Sequence, residues 1–506
     1  MSLRNNYYVS SFFWSTLSKI LTAIVGFISV PLLLGYYGKA EYGILSIATA
    51  CNGYMHLLDL GMNVGAVKYF SQWKAEGKID KIYRVARTNI TFYAIIALIN
   101  ILGLLSLALF GESLFSVTSV QFVQLQRCLI VIALFSLLSW GATTFNQLLI
   151  ADKQMAFTMQ IQCVLALLKG VLVAMVFMFD MSLTTYFFFL TATTALLVFP
   201  YILRCISHKL IDTLKPGFYW NDFKVVMTFS LSIFALSLFQ ITSTQSRPII
   251  LSVFAHDGAS VVADFRIVEV VPQLIIMIGG TFSGVFLPKT SEMVARKDDA
   301  SVHDFAYKWT RLTTIVVMCL CFPAILCSRE ILIAYVGKCY DYLSIWLILW
   351  SITVLIQMHT TPGNALVLAY GRTKLLVKVT SFACLLSMIV NALLCKYFDV
   401  GSAIIAYFIY TSIIIGLYYV SFYKKLLRLS RYKLFKCFII PVIIGIIPIP
   451  LVYCLPIDYT DFGVSNERLV CIIMCMVKTF VWFVPFAILL LITKTLDINI
   501  LRKTNK

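Results

Sequence analysis

The sequence predicts an all-α integral membrane protein with about fourteen transmembrane helices, or twelve if a last pair does not fully cross. Three observations carry this reading. Of 506 residues, 60% are hydrophobic and only 13% charged, against about 25% charged in soluble domains. The apolar residues form continuous runs of roughly 20 or more, the length a helix needs to cross a bilayer, not the alternation of a membrane barrel. Lys and Arg, finally, collect in every second loop.

The expected spans lie near residues 10–34, 42–66, 89–110, 123–150, 155–178, 183–203, 225–254, 261–288, 311–333, 343–369, 376–396, 401–421, 437–455 and 469–493. The first run is long and lacks a clear small-residue cleavage site, so it is expected to stay as the first span. Of the 41 Lys and Arg residues, thirty fall in one set of loops. They include Lys68, Lys74, Lys78, Lys81, Arg84 and Arg87, and the later cluster from Lys424 to Lys436. The opposite loops hold four, Lys39, Lys338, Lys396 and Arg468. This asymmetry places both termini in the cytoplasm, and its regular alternation requires an even number of spans. The loops on the outer side, such as Gly111–Phe122 and Pro456–Arg468, are too short to fold as domains. That argues against a receptor, and against a polymerase or ligase with outer-face chemistry.

The net charge of +18 comes without a basic arm or an aromatic-basic platform, so nucleic acid is not an expected partner. The fourteen Cys show no metal-ligand spacing and sit mostly in apolar runs, as small buried hydrophobes do. A Walker-type phosphate loop is missing, since Gly35-Tyr-Tyr-Gly-Lys-Ala has the wrong spacing and no Ser/Thr. A zinc-binding His-Glu-x-x-His and a nucleophile elbow are missing too. The expectation is a protein that moves a substrate, with no catalytic residues, no metal and no cofactor beyond a coupling H⁺ or Na⁺.

An internal repeat is faint. Pro31-Leu-Leu-Leu, followed by Gly38-Lys-Ala-Glu-Tyr-Gly, opens a span that ends in Tyr69-Phe-Ser-Gln-Trp-Lys. Some 217 residues later, Pro248-Ile-Ile-Leu leads through Ala255-His-Asp-Gly into a span ending in Lys289-Thr-Ser-Glu-Met. Two six-helix lobes related by a parallel repeat produce such a pattern. The expected organisation is an N-terminal lobe with its following loop at 1–224, a C-terminal lobe at 225–423, and a basic loop with two further helices at 424–506.

The residues around Ser18-Lys19, Pro31-Leu-Leu-Leu-Gly-Tyr-Tyr-Gly, Glu41-Tyr-Gly and Leu57-Leu-Asp-Leu-Gly-Met, before Lys68-Tyr-Phe, resemble polysaccharide exporters of the Wzx type. These belong to the multidrug/oligosaccharidyl-lipid/polysaccharide (MOP) superfamily. The motifs concentrate in the first 90 residues or so, while the span layout matches throughout. The resemblance implies two lobes around a central cavity lined by spans 1, 2, 7 and 8. It also implies a substrate, undecaprenyl-pyrophosphate-linked oligosaccharide repeat units, moved from the cytoplasmic to the outer leaflet of the inner membrane for O-antigen, capsule or exopolysaccharide assembly. A polysaccharide polymerase and chain-length machinery are partners it suggests, beside membrane lipids. The lipid II flippases and the ion-coupled multidrug antiporters (MATE-like) share the layout and remain alternatives.

Seven cations fall inside the spans: Lys19, Arg127, Lys169, Arg247, Arg266, Arg329 and Lys478. A charge at the centre of a membrane helix costs about 2.5–3.5 kcal/mol on insertion scales, so such residues normally face protein or a wet cavity. A pyrophosphate entering the membrane gives up hydration and needs charge-assisted hydrogen bonds in return. Lys19, Arg247 and Arg266 are the expected substrate-binding residues. Glu269, three residues after Arg266, offers the competing reading of an ion pair along one helix face. Arg127 and Arg329 are expected to snorkel to an interface, and Lys169 and Lys478 receive no role. Among the acids, Asp59, Asp264 and Glu269 are candidates for ion coupling or for structural bonding, Asp59 near a backbone loosened at Gly61 and Gly65. His359 reads as a satisfied polar residue. Pro272, with Gly279, Gly280 and Gly284 beyond it, is expected to interrupt the eighth span, and Pro31, Pro248, Pro323 and Pro362 others.

Overall fold

A computed structural model describes residues 7–296, 299–370, 374–419, 424–425, 429–454, 466–493 and 495. These residues are almost wholly helical, and no strand occurs among them. The first nine helices are α1 (Tyr7–Tyr37), α2 (Lys39–Met55), α3 (Met62–Ala75), α4 (Ile79–Phe110), α5 (Ser119–Ala151), α6 (Met155–Phe179), α7 (Leu183–Ala195), α8 (Val198–Ser207) and α9 (Trp220–Phe254). Then come α10 (Gly258–Ala295), α11 (Asp299–Leu326), α12 (Ser328–Tyr335), α13 (Ser344–Met358), α14 (Thr361–Ala369), α15 (Lys374–Phe398) and α16 (Val400–Ile413). The last are α17 (Arg431–Ile446), α18 (Ile449–Tyr453) and α19 (Glu467–Ile492).

Helix therefore occupies all fourteen expected stretches. Among the described residues, ten stretches are long and apolar enough to cross a bilayer, so the protein is a multi-pass membrane protein. The stretches at 42–66, 225–254, 261–288 and 401–421 are not among the ten, and the count of fourteen is not established by length and hydropathy. Large side chains such as Leu102, Phe110, Leu134, Met178 and Leu203 lie exposed. An apolar surface of this extent would be untenable in water and suits lipid. Most of the cysteines are buried and all are free thiols, with Cys339 and Cys454 exposed.

By contact density the chain forms two units, Met1–Ala263 and Asp264–Lys506, with the division inside α10. In the first, α4 packs along α5 and α1 along α6, while α9 lies against α2 and α3. Its core holds Met62, Phe70, Tyr93, Trp140, Leu149 and Phe223. In the second, α15 packs on α16, α11 on α13 and α17, and α12 on α19. There Trp482 stacks on Phe322 at 5.0 Å and donates its indole N–H to the Gly445 carbonyl at 2.8 Å.

The breaks in the helices differ from those the prolines predict. Pro31, Pro248 and Pro323 lie inside α1, α9 and α11, toward the C-terminal end of each, and α10 runs unbroken through Pro272. A proline removes one ladder bond and bends a helix, but burial in a packed bundle holds the rest of the helix together. Of the five prolines, only Pro362 stands at an interruption, at the start of α14. The main break in the first unit comes instead at Leu60 and Gly61, with φ of 51° and 73°. Gly61 is fixed there twice over. Its left-handed backbone favours glycine, and a Cβ on it would stand 2.6 Å from the Ser230 carbonyl of α9.

Several basic residues that set the topology also tie helix ends together. Lys74 pairs with Asp152, which also meets His208 Nδ1 at 2.9 Å. Arg84 bonds Asp222 at 2.8 Å, and Arg87 reaches the Tyr219 hydroxyl at 3.2 Å. In the second unit Lys478 of α19 pairs with Glu330 of α12, a carboxylate only 4% exposed. Replacing one partner of such a pair strands a buried charge and costs about 3–5 kcal/mol, whereas replacing both with apolar residues is close to neutral. Lys478→Met alone is therefore expected to lower the thermal midpoint in detergent sharply. The double variant Lys478→Met/Glu330→Leu should recover most of that loss, and equal losses in the two would show that the pair is not buried as a unit.

Candidate functional site: a polar cavity in the first unit

Within the first unit lies a cavity of about 570 Å³, a volume in the range of small-molecule sites. Its walls are polar although its helices are apolar. The segment from α2 into α3 supplies Thr49, Asn52, His56, Asp59 and Asn63, three or four residues apart and so along one helical face. Helix α5 supplies Ser136, Ser139, Trp140, Thr143 and Asn146 at the same period. Gln162 and Lys169, seven residues apart on α6, face it from another side, with Thr191 and Thr194 of α7 and Tyr201 of α8.

Asp59 is the carboxylate of this lining. It closes the 3-10 turn His56–Asp59 that follows α2, and its Oδ2 accepts the Asn63 backbone N–H at 3.2 Å, which ties the start of α3 to the break. Its Oδ1 accepts the Tyr93 hydroxyl at 2.6 Å. Behind Tyr93 the chain of bonds continues: Gln147 Nε2 donates to the Tyr93 oxygen at 2.7 Å, and Asn89 Nδ2 donates to Gln147 Oε1 at 2.6 Å. Asn89, Tyr93 and Gln147 are all fully buried. Each donor in the chain points toward the carboxylate. Further along α4, Asn100 donates Nδ2 to Ser136 Oγ at 3.1 Å, and its Oδ1 has no hydrogen-bond partner.

Lys169 is the cation of the lining. It also lines a smaller cavity of about 270 Å³ between α1 and α6, with Thr22, Gly26, Ser29, Gln162 and Tyr186. Among the described residues it makes no ion pair or hydrogen bond, unlike Arg266, Arg329 and Lys478.

The other charges weighed in the sequence take these positions. Lys19 lies on an exposed part of α1. Arg247 is buried in α9, 4% exposed, just before Pro248. Arg266 bonds Glu269 at 2.6 Å, the ion pair that the three-residue spacing offered. Both oxygens of Asp264 accept the Tyr342 hydroxyl, at 2.8 and 2.9 Å. Thus Arg266 and Glu269 are brought together, while Lys19 and Arg247 stand on separate helices, and neither lines the 570 Å³ cavity. Arg127 is exposed on α5, and Arg329 is exposed and pairs with Asp341 at 3.2 Å. His359 bonds the Ile356 carbonyl through Nδ1. The side chains of Lys289 and Lys374, the surroundings of Gly279, Gly280 and Gly284, and residues Arg4, Lys297, Arg372, Arg428, Lys494, Arg502, Lys503 and Lys506 lie outside the description.

Residues 8–294 match the family described as "Polysaccharide biosynthesis protein", and the chain belongs to that family. A Salmonella typhi protein named "Putative O-antigen transporter" is 27% identical over 254 residues, 47% of this chain and 55% of that one. The chain thus spans about half the length of this relative. Among solved structures, the lipid II flippase MurJ in an inward closed conformation has a TM-score of 0.68 at 13% identity, covering 94% of this chain and 99% of that one. An inward-facing multidrug resistance transporter of the MATE family and MOP superfamily has 0.63 at 12%, covering 82% and 99%. At such identity the likeness shows the fold alone, and the fold is that of the MOP transporters, as the opening motifs implied.

The bond network makes a specific demand. Tyr93→Phe removes the hydroxyl that serves both Asp59 and Gln147 and leaves the fully buried Gln147 amide and the half-buried Asp59 carboxylate each short of a partner. A buried orphan costs about 1–3 kcal/mol. A fall of the unfolding midpoint by that order is expected, measured by thermal denaturation in detergent. An unchanged midpoint would mean that the network carries no strain-bearing bond.

Proposed function

We propose that this protein is a flippase for lipid-linked oligosaccharide, moving undecaprenyl-pyrophosphate-linked repeat units from the cytoplasmic to the outer leaflet of the inner membrane, with both termini in the cytoplasm. The observation that carries the reading is the polar cavity enclosed by apolar helices in a member of the polysaccharide biosynthesis family. Amides and hydroxyls both donate and accept hydrogen bonds, so such walls can exchange bonds with sugar hydroxyls as these leave water. An apolar cargo has no use for them, since every unpaired polar group in the wall costs free energy.

The pyrophosphate is met by cations. Lys19 and Arg247 are assigned to it, with Arg266 contributing less because Glu269 already takes up its charge. A polymerase and chain-length machinery would act on the product at the outer face.

Deletion of the gene should abolish the surface polymer and leave lipid-linked repeat units on the inner leaflet, read by glycan staining and by extraction of undecaprenyl-linked sugars. Intact surface glycan with altered drug sensitivity would transfer the assignment to a drug antiporter. The variant Lys19→Ala/Arg247→Ala, at equal protein level, should cut export by about tenfold or more, the size of one lost charge-assisted bond. Unchanged export would remove both residues from the substrate path.

A further inference from the structure

We infer that Lys169 and the cavity around it form a binding site, inside the first unit, for a sugar that carries an oxyanion: the carboxylate of an acidic sugar, or the phosphate on a sugar's anomeric oxygen. The inference rests on the flippase reading and deepens it, because it names the class of headgroup the protein accepts.

Three observations meet here. The ammonium of Lys169 is the one cation of the cavity's described lining apart from the imidazole of His56. It stands beside both the 570 Å³ and the 270 Å³ cavities, and it has no partner of opposite charge among the described residues. A cation kept at this depth without a counter-ion is costly, and an anionic ligand would offset that cost. The groups nearest along the chain are suited to a sugar. Gln162, two turns before Lys169 on the same face of α6, donates to the Tyr201 hydroxyl at 3.3 Å and, like Lys169, lines both cavities. The other walls are lined by Ser136, Ser139 and Thr143 of α5 and by Thr191 and Thr194 of α7. Such groups both donate and accept hydrogen bonds, as a sugar's hydroxyls do.

Charge decides the class of sugar. The cavity's carboxylate, Asp59, already receives Tyr93 and the Asn63 N–H, so it makes a poor counter-ion for a second cation. A neutral sugar would leave Lys169 unpaired, and a cationic one would be repelled by it. An oxyanion at Lys169, with the sugar's hydroxyls among the amides and hydroxyls of the lining, suits both the charge and the polar wall.

The test uses the full-length protein in lipid nanodiscs and needs no translocation. Binding of methyl β-glucuronide, methyl β-glucoside, glucose 1-phosphate and inorganic phosphate is read by saturation-transfer NMR or titration calorimetry. The wild type should bind one or both sugar oxyanions about tenfold more tightly than the neutral glucoside, as expected for one charge-assisted bond. Lys169→Gln should erase the preference, and Lys169→Arg should restore most of it. Preference for the glucuronide assigns the site to an acidic sugar, and preference for the 1-phosphate assigns it to the carrier-linked end. No preference in the wild type would overturn the inference, and that arm does not depend on any variant folding. Inorganic phosphate binding as well as either sugar oxyanion would also overturn it, since the sugar would then contribute nothing. A protein that passes these tests but does not move lipid-linked oligosaccharide in vesicles would sink the flippase reading and leave the site standing.

Discussion

A carboxylate placed among apolar helices must have its hydrogen bonds supplied by the protein, and the arrangement of the first unit follows from how Asp59 obtains them. The acid sits where the second span loses its helix, at Leu60 and Gly61. One oxygen holds the first free N–H of α3, and the other holds Tyr93, which is itself held by Gln147 and, through it, by Asn89. The bonds join α2, α3, α4 and α5 through one acid. They also fix which way the broken segment faces, and so turn Asn52, His56 and Asn63 toward the cavity. Gly61 and Gly65 complete the geometry by letting α9 approach within contact of the break. Ion attraction plays little part in this. Directional hydrogen bonds do the positioning.

The cations divide by the same reasoning. Where a carboxylate lies one turn away or on a neighbouring helix, the cation is neutralised inside the protein, as Arg266 is by Glu269 and Lys478 by Glu330. Others are exposed, as Lys19 and Arg127 are. Lys169 pairs with no carboxylate among the described residues and stands away from the ends of α6. Counting cations within spans therefore overstates the positive field available to a substrate. The useful quantity is the number left after internal pairing.

Much of the fold could be read from the sequence, because membrane insertion imposes a simple rule on helix length and loop charge. Helices appear on every expected stretch. The opening motifs pointed to the right family. The broken second span was visible in Asp59, Gly61 and Gly65, where an acid and two small residues interrupt an apolar run. The prolines misled, because a proline's local cost says nothing of the packing that opposes it. The cavity went unread for a different reason. Its lining is mostly uncharged, and attention to single charges passed over the period in which Thr49, Asn52, His56, Asp59 and Asn63 recur, and again Ser136, Ser139, Thr143 and Asn146. Polar residues at helical spacing inside an apolar span are an amphipathic stripe turned inward. Lys169 gave no such signal alone. Its partner on the face, Gln162, is seven residues away, and the absence of a counter-ion among the described residues is a fact of three dimensions.

The polar face of the second span has a price during biosynthesis. A segment that carries Asn52, His56, Asp59 and Asn63 within one stretch partitions poorly into lipid when it emerges alone, and it is not among the stretches long and apolar enough to cross unaided. The neighbouring α1 is long, strongly apolar and joined to it through the single residue Gly38. The two are suited to enter the bilayer as a hairpin, with the first carrying the second. The chain would then have to shelter that polar face until α5 arrives, which makes the order of synthesis part of how the cavity is built.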